Sequence, residues 1–360
     1  MFSILEVDNN VIKKGICTGC GACQGMCPYW KSFKGRTFVD YICDRQEGRC
    51  KHFCPRMPED LEALRNKFFD EADLEENLGA VKGVYLTRAA DPEFLKNAQN
   101  GGTITALINL AFEEGIIDSA VLSKAEGTLN PKGMLAASKE EFLSCQGSSY
   151  QIAPTLSVLN EALGENKYKK IGVVGTPCKT LATFKMKAKP FAENENNADN
   201  ISLVIGTFCG WGLDWDGIEK YGPCKHAEIL PSKFHRMDLD DRQIDLDEIL
   251  PIVRSNCLYC ADMTAEFSDI SVGEARSPLG FDEDKGWNTL IVRSEKGKKL
   301  VDLAREKNVL EFRDGFDLEK LKKASGNKKK TAVKNLIELT GSKDDLSYLE
   351  PSRKMFEKFI

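Results

Sequence analysis

The stretch KKIGVVGTPCKT, residues 169–180, joins a short apolar segment to a cysteine, Cys178, that follows its end. A second stretch, ISLVIGTFC at residues 201–209, has the same order of features and ends in Cys209. Apolar segments of this length, rich in β-branched residues, predict buried β-strands. Ligands of open α/β sheets bind at the carboxyl ends of the strands. We therefore expect both cysteines at a ligand-binding edge of a sheet.

The segments around these strands alternate between strand and helix patterns. Residues 79–89 (GAVKGVYLTRA) and 116–123 (IIDSAVLS) are strand-like. Residues 103–115 (TITALINLAFEEG) and 155–165 (TLSVLNEALGE) instead place apolar residues at helical spacing. This alternation predicts a layered α/β domain with parallel strands.

The composition is that of a soluble globular protein, with 42% hydrophobic and 29% charged residues in 360. Fifty basic and 55 acidic residues give a net charge of −5, so we expect no nucleic-acid partner. No run approaches the roughly 18 apolar residues of a membrane helix, and the first residues lack a cleavable-leader pattern. We therefore expect a cytoplasmic protein that meets a membrane only through a partner.

The chain has thirteen cysteines and only three histidines, and these counts narrow the classes of function that we expect. An odd number of cysteines in a chain of cytosolic character argues against a disulfide framework and for metal binding or redox chemistry. The scarcity of histidine argues against a catalytic triad and against a His-rich zinc site.

The N-terminal segment CTGCGACQGMCP, residues 17–28, has the cysteine spacing of bacterial ferredoxins. In that spacing Cys17, Cys20 and Cys23 hold one 4Fe-4S cluster, which Cys54 would complete, while Cys27 crosses to a second cluster. Zinc is the alternative, but zinc sites normally use two separated cysteine pairs.

The second N-terminal cysteine set is incomplete. It comprises Cys27, Cys43 and Cys50, and Glu47 occupies the position of the missing ligand. This arrangement resembles ferredoxins that hold a 3Fe-4S cluster, or those in which a carboxylate replaces one thiolate. The sequence leaves 3Fe-4S and 4Fe-4S open, and also a vestigial loop in which Cys43 is free and Glu47 is a surface residue.

A third group contains Cys178, Cys209, and the pair Cys257 and Cys260 in CLYCAD, residues 257–262. Four cysteines from three loops can hold another iron–sulfur cluster. The alternatives are a dithiol redox pair, a nucleophilic thiol at Cys178, and inert core cysteines. Asp262 is expected to orient its own loop through backbone hydrogen bonds.

Several further blocks occur in a fixed order along the chain. They are NGGTIT (100–105), GIIDSAV (115–121), GSSY (147–150), SDISVG (268–273) and GWNT (286–289). Together with the cysteine segments, they resemble the beta-subunit family of coenzyme F420-reducing hydrogenases and dehydrogenases over residues 15–335. A more distant branch, the 7-hydroxymethyl chlorophyll reductases, takes electrons from ferredoxin to reduce a pigment.

The resemblance implies FAD, with coenzyme F420 as substrate, and a 4Fe-4S cluster on Cys178, Cys209, Cys257 and Cys260. Cys145 and Cys224 match no ligand position and are expected to be structural. The Rossmann Gly-rich fingerprint is absent. The expected FAD contacts are Asn100, Gly101, Gly102 and Thr103, as the diphosphate cradle, with Thr105, Gly147, Ser148, Tyr150, Thr176, Gly273 and Trp287. Lys179 is either a partner of reduced flavin or a surface lysine; no protein residue is expected to act as acid or base.

We therefore predict an α/β (α+β) chain in three parts. Residues 1–75 form a ferredoxin-like iron–sulfur domain, residues 76–315 a layered FAD and 4Fe-4S domain without a Rossmann fingerprint, and residues 316–360 a Lys-rich, solvated helical tail. The expected function is hydride exchange between coenzyme F420 and FAD, with single electrons passing to or from a hydrogenase, dehydrogenase or reductase complex, or ferredoxin. The alternatives are a ferredoxin-dependent reductase of another organic substrate and a flavin-free electron-relay subunit.

Overall fold

The computed structural model describes residues 1–126, 129–188, 196–222, 224, 226–230 and 235–360. Its strands are β1 (Trp30–Phe33), β2 (Arg36–Val39), β3 (Leu74–Glu75), β4 (Gly79–Ala80), β5 (Gly83–Ala89), β6 (Ser119–Glu126), β7 (Leu129–Ala136), β8 (Ile171–Gly175), β9 (Ile201–Thr207), β10 (Ala227–Ile229), β11 (Arg236–Leu239), β12 (Arg242–Asp245), β13 (Ile270–Glu274), β14 (Asn288–Val292) and β15 (Leu310–Arg313). Its α-helices are α1 (Ser3–Val7), α2 (Arg49–Phe53), α3 (Leu61–Asn66), α4 (Thr103–Glu113), α5 (Lys139–Leu143), α6 (Thr155–Glu165), α7 (Pro177–Ala188), α8 (Trp215–Glu219), α9 (Leu246–Ile249), α10 (Phe281–Asp284), α11 (Glu295–Glu306), α12 (Leu318–Thr340) and α13 (Arg353–Phe356).

Eight strands form one large sheet in the order β15-β5-β14-β13-β9-β8-β6-β7. The four central strands β13, β9, β8 and β6 are parallel neighbours. The strands on both sides of them pair in antiparallel fashion. The predicted α/β class is therefore confirmed, but the sheet is mixed and not parallel throughout. Only two residues separate β6 from β7, and a parallel crossover needs a much longer connection.

Helices cover both faces of this sheet. Leu107 of α4 and Leu300 of α11 belong to the apolar core on one face. Leu159 of α6 and Met186 of α7 belong to the core on the other face. Successive residues of β9 fall in different cores, as the alternation of side chains along a strand requires.

The cysteine-rich N-terminal part packs against the face covered by α6 and α7. Its buried Trp30 and Phe53 share one apolar core with these helices. The Asn160 side chain of α6 donates a hydrogen bond to the carbonyl oxygen of Gln24 at 2.6 Å. Lys185 of α7 donates to the carbonyl oxygen of Cys54 at 2.8 Å. The loops that carry the N-terminal cysteines are thus held by side chains of α6 and α7.

The Lys-rich C-terminal helix α12 is not solvated along its length, so that expectation is wrong. It buries Leu321, Ser325, Lys329, Val333 and Leu336, which recur at helical spacing along one face. This buried face was not recognisable as an apolar stripe in the sequence, because Ser325 and Lys329 belong to it. In the described part of the chain, neither α12 nor any other helix is long and apolar enough to cross a membrane.

Candidate functional site

A cavity of about 400 Å³ opens at the carboxyl edge of the parallel strands, a volume typical of small-molecule sites. Its walls come from the ends of β8, β9 and β13, from the N-terminus of α4 and from the loop before α6. The structure brings together there nine of the residues that the sequence assigned to a cofactor: Asn100, Gly102, Thr103, Thr105, Gly147, Ser148, Tyr150, Thr176 and Gly273.

Two other residues of that set, Gly101 and Trp287, do not line the cavity. A Cβ atom on Gly101 would lie 2.8 Å from Oδ1 of Asn288, so this glycine permits close packing of protein on protein. The Trp287 ring contacts two guanidinium groups, those of Arg88 and Arg313, whose central carbons are 4.8 and 4.7 Å from its centroid. Both residues therefore have structural explanations.

The N-terminus of α4 forms one wall of the cavity. Gly102 begins the helix in the left-handed region, at φ +67°, and a Cβ atom there would lie 2.4 Å from the carbonyl oxygen of Phe94. The first amide groups of a helix have no partner within the helix and bind anions well. Ile104 and Thr105, in this first turn, line the cavity. The wall thus suits a phosphate-bearing ligand.

Thr103 is held by protein groups and not left free for a ligand. Its hydroxyl lies 3.0 Å from that of Thr87, and its amide donates to Oδ1 of Asn288 at 3.4 Å. Asn288 lines the cavity. It follows Trp287 in the sequence, and the family motif had pointed to the tryptophan as the FAD contact. Thr103 and Asn288 together fix the start of α4 against the sheet.

The loop before α6 supplies polar groups to the opposite wall. Gln146 donates through Nε2 to the carbonyl oxygen of Phe94 at 2.7 Å, while its Oε1 is buried with no partner among the described residues. The Tyr150 hydroxyl accepts a hydrogen bond from the amide of Ile229 at 3.2 Å, and burial raises the pKa of Tyr150. Sequence reasoning missed Gln146, which belongs to no recognisable motif. Its unpartnered oxygen fits a ligand that donates a hydrogen bond.

Gly273 admits a phenyl ring to the cavity wall. A Cβ atom on Gly273 would lie 2.1 Å from the Phe208 ring, which lines the cavity beside it. Any side chain at this position would displace the ring.

Lys179 places a cation at the cavity wall. It is only 5% exposed, so the surface alternative is wrong. Its Nζ donates to the hydroxyl of Thr155 at 2.7 Å and lies 3.4 Å from that of Ser123. Burial lowers the pKa of Lys179, against the opposing effect of the nearby Cys178 and Cys20 thiolates. The cation is thus fixed between the cavity and the cysteines.

The four C-terminal cysteines gather beside the cavity. Cys178 lies in the first turn of α7, and Cys209 follows β9 and lines the cavity wall. Cys257 lies in a short 3-10 helix, Ser255–Tyr259, and Cys260 follows its end. Burial, with the thiolates of Cys257, Cys178 and Cys260, raises the pKa of Cys209 to about 12. Buried thiolates that repel one another in this way need a multivalent cation to hold them ionised.

Backbone hydrogen bonds fix the loops of these cysteines. The amide of Gly212 donates to Sγ of Cys257 at 3.3 Å. The Asp262 carboxylate accepts from the amides of Thr264 at 3.0 Å and Glu266 at 2.9 Å. Asp262 therefore orients its loop, as predicted.

The first N-terminal set is also assembled. Burial raises the pKa of Cys23 well above its usual value, and Cys17, Cys20 and Cys54 add to the effect. Gly21, between two of these cysteines, has φ +88°, and a Cβ atom there would lie 2.5 Å from the carbonyl oxygen of Pro154. Glycine lets the loop approach the start of α6 this closely.

The second N-terminal set brings Cys27 near Cys50. Burial raises the pKa of Cys50 to about 11, and the thiolate of Cys27 contributes. The Cys43 sulfur accepts the amide of Arg45 at 3.4 Å. The Glu47 carboxylate is 60% exposed, and its oxygens lie 2.6 Å from Nε2 of His52 and 3.3 Å from Nζ of Lys51. These contacts account for Glu47 without a metal.

The spacing of the sulfur atoms bears on which metal group fits. Throughout the described residues, no three cysteine sulfurs lie within 4.8 Å of one another. A tetrahedral zinc ion with sulfur ligands at about 2.3 Å would bring them to about 3.8 Å apart. The cysteine sets are therefore more open than one zinc ion requires.

The first N-terminal set and the C-terminal set are neighbours in space. Cys178 raises the pKa of Cys20, to which burial contributes most. Arg56, two residues after Cys54, donates to the carbonyl oxygens of Asn256 and Tyr259, which immediately precede Cys257 and Cys260. The cysteine sets and the cavity form one continuous region.

Comparison with known proteins identifies the class to which this fold and site belong. Residues 84–160 match the family model described as coenzyme F420 hydrogenase/dehydrogenase, beta subunit N-term. Residues 168–317 match the companion model, which describes the carboxyl-terminal part of the same beta subunit. The chain belongs to the coenzyme F420 hydrogenase/dehydrogenase beta-subunit family, as the sequence motifs predicted.

Three relatives illustrate the range of the similarity. An uncharacterised protein of Methanocaldococcus jannaschii is 30% identical, over 89% of this chain and 95% of its own length. The coenzyme F420 hydrogenase subunit beta of Methanococcus voltae is 29% identical, over 72% of this chain and 95% of its own. A chain of the F420-reducing NiFe hydrogenase complex from Methanosarcina barkeri has a TM-score of 0.66 at 26% identity, covering 73% of this chain and 94% of its own.

Proposed function

We propose that this chain is an oxidoreductase subunit that exchanges hydride between coenzyme F420 and FAD and passes single electrons through iron–sulfur clusters. Its partner would be a hydrogenase, dehydrogenase or reductase complex, or ferredoxin. We keep the three segments 1–75, 76–315 and 316–360 as its cluster, flavin and C-terminal parts. FAD, when bound, supplies the conversion between two-electron hydride transfer and one-electron transfer.

The observation that carries this proposal is that Cys209 belongs both to the cavity wall and to a set of four cysteines. A cavity of small-molecule size thus shares a wall with a site suited to a one-electron carrier. The electrostatic effect of Cys178 on the pKa of Cys20 supports a continuation of the series toward the N-terminal sets. The order of sites is therefore the cavity, the C-terminal cysteines, the first N-terminal set and the second.

The protein's own residues would bind and orient the flavin nucleotide. The amides of Ile104 and Thr105 suit its diphosphate, and Gly102 permits the chain conformation that exposes them. Lys179 offers a fixed positive charge to the ring system. Hydride exchange between two flavin-like rings requires stacking and exclusion of water, so none of these residues needs to transfer a proton.

Anaerobic mixing with reduced coenzyme F420 tests this function. We expect purified holoprotein to show flavin absorbance that bleaches on mixing, and an added one-electron dye to become reduced. If reduced ferredoxin bleaches the flavin and reduced coenzyme F420 does not, the alternative reductase of another organic substrate is correct. A protein with iron and no flavin would instead be an electron-relay subunit.

The C-terminal ligand set has its own test. Cys257→Ser should lose about four iron atoms per chain, the content of one 4Fe-4S cluster. Cys145→Ser is the control, because the Cys145 sulfur contacts that of Met134, and no hydrogen bond between described residues joins it to the cysteine sets. Equal iron in the two variants, measured beside acid-labile sulfide, would exclude the assignment.

A further inference from the structure

Two basic side chains from opposite ends of the chain converge on the C-terminal cysteine loops. Arg56 belongs to the N-terminal part and Lys328 to α12. Both lie outside the segments matched by the family models, which begin at residue 84 and end at residue 317. The sequence had predicted only a solvated tail for the Lys-rich C-terminal segment.

Lys328 binds the loop of Cys209. Its Nζ donates to the carbonyl oxygen of Cys209 at 2.6 Å and to that of Gly210 at 2.7 Å. The side chain is half-buried, and no carboxylate forms an ion pair with it within the described residues. Against the effect of burial, the thiolates of Cys260 and Cys209 and the more weakly acting Asp262 carboxylate raise its pKa.

Arg56 binds the loop of Cys257 and Cys260 in the same manner. Its Nη1 donates to the carbonyl oxygen of Tyr259 at 3.1 Å and its Nη2 to that of Asn256 at 3.2 Å. Arg56 is 4% exposed, and its guanidinium carbon lies 4.4 Å from the centroid of the Tyr348 ring, whose hydroxyl also donates to the Tyr259 carbonyl. Its Nε is buried without an acceptor in the described part of the chain.

A cation that binds carbonyl oxygens directly, and no carboxylate, keeps most of its charge available to the thiolates. Lys185, which holds the Cys54 loop, differs in this respect because Glu59 lies 3.4 Å from its Nζ. A positive charge next to thiolates favours the more negative, reduced form of whatever metal group they hold. Lys328 and Arg56 thus both hold the C-terminal cysteine loops by hydrogen bonds and place positive charge beside their thiolates.

We propose that Lys328 and Arg56 are positioning residues that hold the C-terminal cysteine loops and raise the reduction potential of the cluster bound there. This inference rests on the proposed cluster site. Under this proposal, α12 and the N-terminal part help to set how readily the C-terminal cluster is reduced relative to the N-terminal clusters.

Lys328→Gln in the full-length holoprotein is the deciding variant. Lys328 is half-buried, whereas Arg56 is almost fully buried, and Arg56→Gln leaves the Asn256 carbonyl group without its donor and is expected to impair folding. The potential of the C-terminal cluster is measured by redox titration followed by electron paramagnetic resonance. We expect the equilibrium constant for its reduction to fall about fivefold in Lys328→Gln, a shift of about 40 mV for one electron. Lys328→Arg and Arg56→Lys, which keep the charge, should stay close to wild type.

Lys330→Gln is the matched control, because this lysine is exposed on the same helix. An unchanged potential in Lys328→Gln, or an equal shift in Lys330→Gln, overturns the inference. Loss of iron in Lys328→Gln that Lys328→Arg restores supports the holding role, and loss in both variants overturns it. If Cys257→Ser loses no iron relative to wild type, the cluster site itself fails and the inference falls with the proposed function.

Discussion

The first N-terminal cysteine set and the C-terminal set each bring four cysteines together, but they differ in how far apart those cysteines lie in the sequence. Three of the four N-terminal cysteines lie within seven residues, and positive-φ glycines allow their loop to turn. The C-terminal cysteines come from three loops separated by up to 79 residues, from Cys178 to Cys257. One site is encoded locally, whereas the other exists only once the sheet has formed.

The two sites also differ in the side chains that hold them. Asn160, a neutral amide, and Lys185, paired with Glu59, bind the N-terminal loops. Lys328 and Arg56, without directly bonded carboxylates among the described residues, bind the C-terminal loops. The comparison suggests that local glycine geometry governs formation of the first site and that charge governs the properties of the second.

The largest effect is expected where the N-terminal loop packs against α6. Gly21→Ala places a Cβ atom 2.5 Å from the Pro154 carbonyl oxygen at φ +88°, so the free energy of unfolding should fall by about 3 kcal/mol. Gly341→Ala has a similar φ, +71°, with no atom within 4 Å, and should cost about 1 kcal/mol. Denaturant unfolding of both variants measures the difference, and equal losses would refute the packing argument.

A smaller effect is expected at the wall between cavity and cysteines. Lys179→Met removes the cation that Thr155 and Ser123 hold. The affinity for FAD should then fall about tenfold, a loss of about 1.4 kcal/mol in binding free energy. Because burial already lowers the pKa of Lys179, the charge is unfavourable for folding and its loss should not lower the melting temperature. Fluorescence titration of the apoprotein measures the affinity.

Lys169→Met, an exposed position, is the control for this binding experiment. Unchanged FAD affinity in Lys179→Met would show that the cation does not contact the flavin nucleotide.

The smallest effect is expected in the second N-terminal set. Glu47→Gln should retain all iron, because His52 and Lys51 already account for its carboxylate. Cys43→Ser, by contrast, should lower the iron content if three cysteines hold the second cluster. Iron loss in Glu47→Gln would make this glutamate a ligand and make the two N-terminal sets more alike.

From local patterns the sequence predicted the α/β class and a ligand-binding edge at the carboxyl ends of β8 and β9. The family resemblance added nine of the residues that line the cavity there. Strand signals placed Cys178 and Cys209 at one edge, and Gly102 marked the start of α4. The antiparallel flanks and the burial of α12 were not predicted. The burial of α12 and the pairing of β5 with β14 and β15 depend on segments far apart in sequence, whereas β7 follows β6 after two residues and its strand pattern was not recognised.

The site residues that sequence reasoning missed act through geometry that no motif records. Gln146 and Asn288 are ordinary polar residues until the sheet brings them to the cavity. Arg56 and Lys328 resemble surface residues in the sequence, and only their hydrogen bonds to the cysteine loops distinguish them. Trp287 is the opposite case. A family motif predicted it as an FAD contact, but it does not line the cavity, whereas the next residue, Asn288, does.

The most direct test of the proposed order of sites combines Cys257→Ser with reduced coenzyme F420 under anaerobic conditions. In wild type, the flavin absorbance should bleach and electron paramagnetic resonance should then show reduced N-terminal clusters. In the variant, the flavin should bleach with no such signal, because the site between the cavity and Cys20 is lost. N-terminal clusters reduced as fast in the variant as in wild type would contradict the proposed order.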